Sequence, residues 1–410
     1  MNNKEILYVT TDLCFIEGTK AGGDIVQISH LNILNQLGFS IKILLLNFDE
    51  FTTQNPSIIE SYKNFTFNSI DISVDKMNLF VDKNEQVNLL KKLNYLTFNI
   101  TTYYYKFVNK KNIVALEEYV FNKNPLFVWA QWSYPGLLFS KAKIDKKIFY
   151  VHHDWQYKLV EFKNVKSLKT AFLKFAKKRI EKKLIKNVDG IISLSNTDSL
   201  FFEKNNIPSI YLPITYDEIS EEKITKTDKE TPSLIHLGNL NSTANRVGLK
   251  DFLIECWPEV KSKIKNVKLE VIGAMPLNDN QLIQLLNNDK QIIIHSFVKD
   301  LQTVIYPLDI HIIPWKLDTG TRTRIPLILK NKQCLVARKE GVINIKEIEN
   351  NKNALLSNSW NKFILDIEKA FNNKELRKEI SSEGYITYKN NFIHKTQVEK
   401  LSNFLKMNLK

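Results

Sequence analysis

The sequence predicts an α/β protein with two Rossmann-like domains, each built on a parallel β-sheet. Its 410 residues are more than one hydrophobic core usually organises, so two domains are expected. Short apolar runs typical of buried strands alternate with amphipathic runs typical of helices in both halves of the chain, which is the pattern of parallel sheets covered by helices. Residues 218–230 are rich in Lys, Glu and Thr and have little to bury, so they are predicted to be a linker.

The N-terminal half opens with a predicted strand, helix and second strand. The two strands are the apolar runs at residues 6–10 and 41–46. Asp24 is a suitable N-cap for the helix between them, and Gly38 is a suitable stop. The apolar face of this helix consists of Ile25, Ile28, Leu31, Leu34 and Leu37. A parallel unit of this kind places its ligand crevice beyond the carboxyl ends of the strands.

Two segments at that predicted edge carry candidate site residues. The first βα loop ends in Gly22 and Gly23, whose small size lets backbone approach a ligand, although such a pair is also an ordinary turn. The run 149–155 contains His152 and His153, which point to opposite sides of an extended chain, so at most one faces the crevice. We select His153, the residue directly before Asp154. A nearly neutral imidazole there can hydrogen-bond a ligand hydroxyl. The alternative is that both histidines are structural.

The C-terminal half contains a turn suited to an anion. A strand-like run at residues 309–314 leads into a turn with Gly320, which is followed by Arg322, Arg324 and an apolar helix-like segment. Glycine permits a close backbone approach, and two arginines can grip phosphate oxygens. The expected anion is a nucleoside diphosphate. A plain turn with two solvated arginines is the alternative, and the flanking motifs argue against it.

The composition is that of a folded globular protein in a reducing compartment. Hydrophobic residues make up 43% and charged residues 25% of the chain, which excludes a disordered protein. Cys14, Cys256 and Cys334 form no C-x-x-C pair, which argues against a disulfide framework and a zinc site. The sequence shows no signal peptide and no transmembrane run, so a cytoplasmic location is expected.

The formal net charge of +14 calls for an anionic partner. Residues 163–187 hold ten Lys or Arg residues against the single Glu181. The apolar residues of this segment recur at helical spacing and are Val165, Leu168, Phe172, Phe175, Ala176, Ile180 and Leu184. Two interpretations stay open: a basic amphipathic helix on an anionic membrane surface, or a helix packed on the core with solvated lysines.

From residue 234 onward, six motifs follow one another in a recognisable order. They are a strand and glycine turn at 234–239, a helix ending near 257–259, a strand at 267–273, Phe-Val-Lys-Asp-Leu at 297–301, a strand at 309–314 and Gly-Thr-Arg-Thr-Arg-Ile at 320–325. Together they resemble the C-terminal half of GT-B-fold glycosyltransferases, specifically glycosyltransferase family 4. In the N-terminal half, the glycine-rich loop, the His-Asp pair at 153–154 and the strand at 187–195 resemble motifs of the same family.

The resemblance implies the GT-B architecture, in which two Rossmann-like domains with parallel sheets face a central cleft. It places an acceptor-side domain at residues 1–217, a linker at 218–231 and a nucleotide-sugar donor domain at 232–384, with a helix at 385–410 packing back on the first domain. It implies transfer of a sugar from a UDP- or GDP-sugar to a glycan, lipid-linked or protein acceptor, with retention and without a metal or cofactor. The chain contains no D-x-D triplet, which agrees with metal-independent transfer.

The resemblance also assigns site residues in both halves. His153, Gly22 and Gly23 are expected at the reacting sugar. The expected donor-binding residues are Gly238, Asn239, Thr319, Gly320, Thr321, Arg322 and Arg324, of which the arginines would stabilise charge on the leaving phosphate. Many relatives act on lipid-linked acceptors, so a peripheral position on the inner face of the membrane is expected as well.

The sequence departs from the family at the ribose site. Relatives commonly carry two glutamates at the positions of Thr319 and Leu327, and a leucine cannot accept hydrogen bonds from ribose hydroxyls. Glu340, beside Gly341, is the nearest candidate by sequence to replace the second glutamate. The loss keeps open a second hypothesis, a catalytically weak partner subunit of another glycosyltransferase. A nucleic-acid-binding protein is a third, but the chain shows no nucleic-acid-binding motif, so no such partner is expected.

The least family-like stretch carries a dense aromatic group. Its members are Tyr95, Phe98, Tyr103, Tyr104, Tyr105 and Phe107. Aromatic residues can stack on sugar rings, which would make this group an acceptor site, but most such groups belong to a hydrophobic core.

Overall fold

The computed structural model describes residues 4–14, 22–47, 64–67, 70–80, 107–159, 168–218, 229–276, 278–298, 300–318 and 320–409. The chain divides into two compact units. Unit 1 comprises Met1–Gly18, Gly23–Leu212 and Gln397–Lys410, and unit 2 comprises Thr19–Gly22 and Pro213–Thr396. Thr319, residues 219–228 of the predicted linker and the aromatic residues between 95 and 105 lie outside the described ranges.

Unit 1 is built on a sheet of eight strands, seven of them parallel, in the order β3-β4-β2-β1-β5-β6-β7-β8. The antiparallel strand is β3, at the edge. The strands are β1 Glu5–Thr10, β2 Ser40–Asn47, β3 Asn64–Phe67, β4 Ile70–Asn78, β5 Val128–Gln131, β6 Ile148–His152, β7 Gly190–Ser193 and β8 Ser209–Tyr211. The described helices are α1 Gly22–Gln36, α2 Lys110–Lys123, α3 Ser133–Phe139, α4 Gln156–Leu159, α5 Leu168–Leu184 and α6 Asn196–Lys204.

The central strand β1 shows why the sheet is covered on both faces. Ile6 and Tyr8 belong to one buried cluster, whereas Leu7 and Val9 belong to another. Successive strand residues point to opposite faces, so an unbroken apolar run buries both sides of a parallel sheet. Phe107 lies in the second cluster, which makes this member of the aromatic group a core residue.

Unit 2 contains a six-stranded parallel sheet in the order β11-β10-β9-β12-β13-β14. The strands are β9 Leu234–Leu237, β10 Leu269–Ile272, β11 Ile292–His295, β12 Ile310–Ile313, β13 Cys334–Arg338 and β14 Leu355–Ser357. The described helices that follow α6 are α7 Thr243–Glu255, α8 Trp257–Lys263, α9 Asn280–Asn287, α10 Ile325–Lys330, α11 Trp360–Asn372, α12 Lys374–Asn391 and α13 His394–Asn408. A sheet that is parallel except at its edge strand and a fully parallel sheet, each with flanking helices, are the two Rossmann-like folds that the sequence predicts.

Two helix boundaries differ from the prediction. Helix α1 begins at Gly22, so Asp24 lies in its first turn, where a carboxylate favours the helix dipole, and is not the N-cap. The helix predicted to end near Trp257 ends at Glu255, and Trp257 begins α8. Pro258, in the first turn of α8, lacks the N–H that a continuous helix would need.

The helix predicted for residues 385–410 is two helices. Helix α12 ends at Asn391 and α13 begins at His394. The backbone N–H of Tyr216 donates to the Phe392 carbonyl at 2.8 Å, and Tyr216 also forms a β-bridge with Ile393. These partners replace helical hydrogen bonds at the break. Beyond it, Leu401, Phe404 and Leu405 are buried in the core of unit 1.

Candidate functional site

In unit 2, most of the expected donor-binding residues gather at the carboxyl ends of β9 and β12. The chain runs from β9 outward to β10 and β11 and then returns to β12 on the other side of β9. In an open α/β sheet, such a reversal of strand order forms a ligand crevice beyond the strand ends. Gly238 and Asn239 directly follow β9, and Gly320 and Arg322 lie on the loop after β12.

Backbone geometry demands glycine at two of these strand ends. Gly238 has φ of +153°, and a Cβ there would lie 2.5 Å from Asn245 Nδ2 and 2.8 Å from Arg324 Nη1. Gly273, after β10, has φ of +132°, and a Cβ there would lie 2.4 Å from the Gly238 carbonyl oxygen. Any side chain would therefore be strained and would clash, so the backbone beside Arg324 stays bare.

The Arg324 guanidinium is held by an amide from α7. Its Nη1 donates to Asn245 Oδ1 at 2.6 Å, and Asn245 Nδ2 donates to the Asn239 carbonyl at 3.1 Å. Burial, and next the charge of Arg322, lower the pKa of Arg324 to about 9, which leaves it charged at pH 7. Its buried Nε has no hydrogen-bond partner, and no carboxylate among the described residues pairs with it. An anion would relieve both the repulsion and the missing hydrogen bond.

Two buried histidines lie within the electrostatic influence of Arg324, His236 on β9 and His311 on β12. Burial, followed by the nearby positive charge of Arg324, lowers the pKa of both, to about 3 for His311. Both rings are therefore neutral at pH 7 and add no positive charge to the site. His311 Nδ1 contacts Gln333 Oε1 at 3.2 Å, which makes this nitrogen a donor.

Arg322 is fixed by its own turn. Its guanidinium lies over the ring of Trp315 at 5.3 Å, and its Nη2 donates to the Gly320 carbonyl at 3.2 Å. Gly320 has φ of +67°, and its carbonyl also accepts from Asn344 Nδ2 at 3.3 Å. Two guanidinium groups with fixed positions thus follow the loop after β12, as phosphate recognition requires.

Glu340 lies at the end of β13 and is already bound by an arginine. Arg338 donates to both oxygens of Glu340, at 3.1 and 3.3 Å. A carboxylate has about four lone-pair positions, so two remain for other donors. The adjacent Gly341 packs on the end of β12, where a Cβ would lie 2.9 Å from Ile313 Cγ2 and 3.2 Å from the Trp315 carbonyl oxygen.

The remaining residues expected at the donor site have few side-chain contacts that bear on ligand binding. Leu327 is half-buried on α10 and offers an apolar side chain. Asn239 is exposed, and its Oδ1 accepts from the backbone N–H of Asn241 at 2.9 Å, so this side chain closes its own turn. Thr321 is half-buried, and Thr319 lies outside the described ranges.

In unit 1, His153 belongs to a compact polar and aromatic cluster. Its Nε2 contacts Gln131 Nε2 at 2.8 Å, and its ring stacks on Trp132 with centroids 3.9 Å apart. Gln131 Oε1 contacts His30 Nδ1, a residue of α1, at 3.4 Å. Burial lowers the pKa of His153 well below its usual value and that of His30 to about 4, so both rings are neutral at pH 7.

Gly23 makes room for this stack. A Cβ on Gly23 would lie 2.2 Å from Trp132 Cη2, which is closer than two non-bonded carbon atoms can approach. Trp132 itself has a positive φ of 78°, which is unusual for a residue with a side chain. Gly22 is the first residue of α1. The glycine pair therefore begins a helix, and Gly23 admits the indole that holds His153.

His152 lies in a different environment. It is buried against Trp155 and Phe202, and its Nε2 is 3.6 Å from Asp198 Oδ2. Asp198 also accepts a hydrogen bond from Trp155 Nε1 at 2.8 Å. His152 is thus a structural histidine inside unit 1, and His153 is the one at the strand end.

Sequence reasoning did not find four residues of these clusters: Asn245, Gln131, Trp132 and His30. Gln131 ends a buried strand and Trp132 follows it, and the neighbouring strand is the one directly before His153. That adjacency was the available signal, because the carboxyl ends of neighbouring parallel strands meet at one edge. Asn245 and His30 gave no local signal.

Residues 231–373 match the family model described as glycosyl transferases group 1. The matched segment lies within unit 2 and contains both site arginines. No curated protein is a significant match to the chain.

Solved structures share the fold over nearly the whole chain. A glycosyltransferase from Rickettsia africae is 17% identical with a TM-score of 0.63, covering 99% of both chains. Anabaena HepE, solved with UDP, is 12% identical with a TM-score of 0.67, covering 98% of this chain and 100% of its own. A mutant of S. aureus TarM, solved with fondaparinux, α-GlcNAc-glycerol and UDP, is 13% identical with a TM-score of 0.65, covering 98% and 99%. The common fold is that of GT-B glycosyltransferases, and the family match covers a segment of unit 2.

Proposed function

We propose that this chain is a family 4 type glycosyltransferase that moves a sugar from a UDP- or GDP-sugar to a glycan, lipid-linked or protein acceptor. One observation carries the proposal: Arg322 and Arg324 are fixed at the strand-order reversal of unit 2, beside the bare backbone of Gly238. The HepE and TarM structures were solved with UDP, which supports a nucleotide-sugar donor.

In the proposed reaction, the bond between the sugar carbon and the diphosphate oxygen breaks, and its electrons go to that oxygen. Arg322 and Arg324 stabilise the charge that develops on the leaving diphosphate. The acceptor hydroxyl oxygen forms the new bond to the sugar carbon, and its proton passes to the departing diphosphate. We assign retention of configuration and metal independence on the family resemblance.

The remaining roles extend the same proposal. Glu340 would accept hydrogen bonds from the ribose with the lone pairs that Arg338 leaves unused. His153 would contact the transferred sugar, and its low pKa makes it a neutral hydrogen-bonding group rather than an acid. Gly22 and Gly23 would act by leaving space, which the Gly23 and Trp132 contact supports.

We also propose that α5 rests on an anionic membrane surface near a lipid-linked acceptor. Leu168, Phe175, Arg179, Lys182 and Lys186 recur at intervals of seven, four, three and four, so they share one side of the helix and its C-terminal extension, and all five are exposed. None of the helices in the described ranges is long and apolar enough to cross a bilayer. The proposed attachment through one side of α5 is peripheral.

The decisive experiment is calorimetric titration of UDP and GDP into wild type and the double variant Arg322→Ala, Arg324→Ala. Each charge-assisted contact contributes about 1.5–3 kcal/mol to binding. Losing two should therefore lower the affinity for the preferred nucleotide by about 100-fold or more. The matched control, Arg179→Ala with Lys182→Ala, removes two positive charges from unit 1 and should bind as wild type does. Wild type that binds neither nucleotide would reject the proposal and favour the partner-subunit hypothesis.

A further inference from the structure

One buried amide in unit 1 bridges two histidine rings. Gln131, the last residue of β5, is fully buried, with Nε2 2.8 Å from His153 Nε2 and Oε1 3.4 Å from His30 Nδ1. His30 is fully buried as well, and its ring lies edge-on to Trp129 at 5.3 Å. Neither contact involves the unit 2 residues that we propose bind phosphate.

The chemistry of an amide gives this bridge a direction. An amide nitrogen only donates and an amide oxygen only accepts. His153 Nε2 must therefore be the unprotonated nitrogen of its ring, and a neutral imidazole then carries its proton on Nδ1. At the other end, His30 Nδ1 carries a proton and donates to Gln131 Oε1, which leaves His30 Nε2 unprotonated.

The surroundings hold this arrangement in place. Trp132 fixes the plane of the His153 ring by stacking on it at an interplanar angle of 18°. His153 is only partly buried, and its Nδ1 forms no hydrogen bond to the described residues. A protonated His153 would direct an Nε2–H at the Gln131 amide hydrogens, so the bridge requires a neutral ring.

We propose that Gln131 is a positioning residue whose amide fixes His153 as the Nδ1–H tautomer, so that Nδ1 donates a hydrogen bond to an oxygen of the bound nucleotide sugar. The identity of the ligand rests on the proposed function, whereas the tautomer does not. A donor at this position selects a ligand atom with a lone pair, such as a hydroxyl or carboxylate oxygen. It also excludes His153 Nδ1 as a proton acceptor for that ligand.

The tautomer can be measured without any ligand. Long-range proton–nitrogen correlation spectra of protein labelled with ¹⁵N-histidine distinguish an Nδ1–H from an Nε2–H ring, and the signals of His153 are those absent from a His153→Gln variant. Wild type at pH 7.5 should show only the Nδ1–H pattern for His153. An Nε2–H pattern would mean that the amide is turned the other way, and it would overturn the proposal.

Two variants test the cause. Gln131→Met keeps the length and removes both polar atoms, and Gln131→Asn keeps an amide that is too short to span the rings. Each should turn the single His153 tautomer into a mixture, while Gln333→Met, which removes the amide facing His311 in unit 2, should leave it unchanged. A pure Nδ1–H pattern in both Gln131 variants would show that Gln131 does not set the tautomer.

Measurements of ligand binding distinguish the positioning role of Gln131 from a purely structural role. UDP-glucose, UDP-N-acetylglucosamine and GDP-mannose are titrated into wild type, and the tightest binder is compared with its nucleoside diphosphate. Gln131→Met should lower the affinity for the nucleotide sugar about tenfold, because one hydrogen bond to the sugar is lost. Its affinity for the nucleoside diphosphate should be unchanged. Equal affinity of both proteins for the nucleotide sugar would refute the contact. If none of the three binds wild type, the proposed function fails, whereas the spectra still decide the tautomer.

Discussion

At the scale of single residues, both clusters depend on polar groups whose donor or acceptor direction is fixed by an amide. Asn245 turns its oxygen to Arg324, and Gln131 turns its nitrogen to His153. The groups held in this way have few compensating partners, since Arg324 Nε and His30 Nε2 are buried without a hydrogen-bond partner. Such groups are costly unless a ligand or water satisfies them, which is why they mark candidate sites.

The ribose contact gives a residue-scale prediction. Glu340→Gln keeps one hydrogen bond to Arg338 but replaces a charged acceptor with a neutral one, so UDP affinity should fall about tenfold with little change in melting temperature. Adding Leu327→Glu should restore the affinity, because it returns a carboxylate to the position that relatives use. Calorimetry on the single and double variants measures both effects.

The half-buried position of Leu327 makes this rescue feasible, since a glutamate there can keep its carboxylate in water. Leu327→Gln in the same background is the matched control and should restore less, because its amide is a weaker acceptor. A double variant that melts earlier and gains no affinity would mean that the region around Leu327 has been closed to ribose.

At the scale of elements, the parallel strands were predictable from the sequence, but the side-chain contacts between distant elements were not. Runs such as residues 43–46 are apolar without interruption, which is typical of a strand buried on both faces. The arginine turn was predictable as well, because its residues are adjacent in sequence. The contacts of Arg324 with Asn245 and of His30 with Gln131 span 79 and 101 positions, and no local pattern encodes them.

Helix α5 shows where periodicity misleads. The predicted apolar face included Leu168 and Phe175 together with Ala176, Ile180 and Leu184. The last three are buried, whereas Leu168 and Phe175 are 92% and 50% exposed. A 3.6-residue period allows one broad stripe to cover both an inner and an outer side, so the pattern alone could not separate core from surface.

The outer side of α5 gives an element-scale prediction. Wild type should float with vesicles that contain phosphatidylglycerol and not with neutral phosphatidylcholine vesicles. Reversing Arg179, Lys182 and Lys186 to glutamate should abolish flotation, because each basic residue near an anionic surface contributes about 1 kcal/mol and each reversal adds repulsion. Binding should also weaken as salt is raised.

The control variant changes Lys265, Lys268 and Lys290 to glutamate. These lysines are exposed in unit 2, and the change in net charge equals that of the α5 variant. The control variant should float as wild type does. Equal loss in both triple variants would show that net charge, and not α5, drives attachment. Retained flotation of the α5 variant would assign the helix to core packing with solvated lysines.

At the scale of the whole molecule, the chain leaves unit 1 at Leu212 and re-enters it at Gln397. Helix α13 brings Leu401 and Phe404 into the core formed by β1, β2, β5 and β6. Phe404 packs against Phe149 with ring centroids 5.9 Å apart, and a Cβ on Gly190 would lie 3.0 Å from its Cζ. The last residues of the chain are therefore required to complete its first unit.

Phe404→Ala should destabilise unit 1 by about 3–5 kcal/mol, because Phe404 is 5% exposed and its loss leaves a cavity. For a unit of this size, that corresponds to a melting midpoint lower by at least about 6 °C. Met407→Ala, on the same helix but 70% exposed, is the control and should melt as wild type does.

Below the transition, UDP binding should persist in both variants, because Arg322 and Arg324 belong to unit 2. Scanning calorimetry with and without UDP measures these quantities, and equal midpoints for Phe404→Ala and Met407→Ala would show that α13 adds nothing to the stability of unit 1.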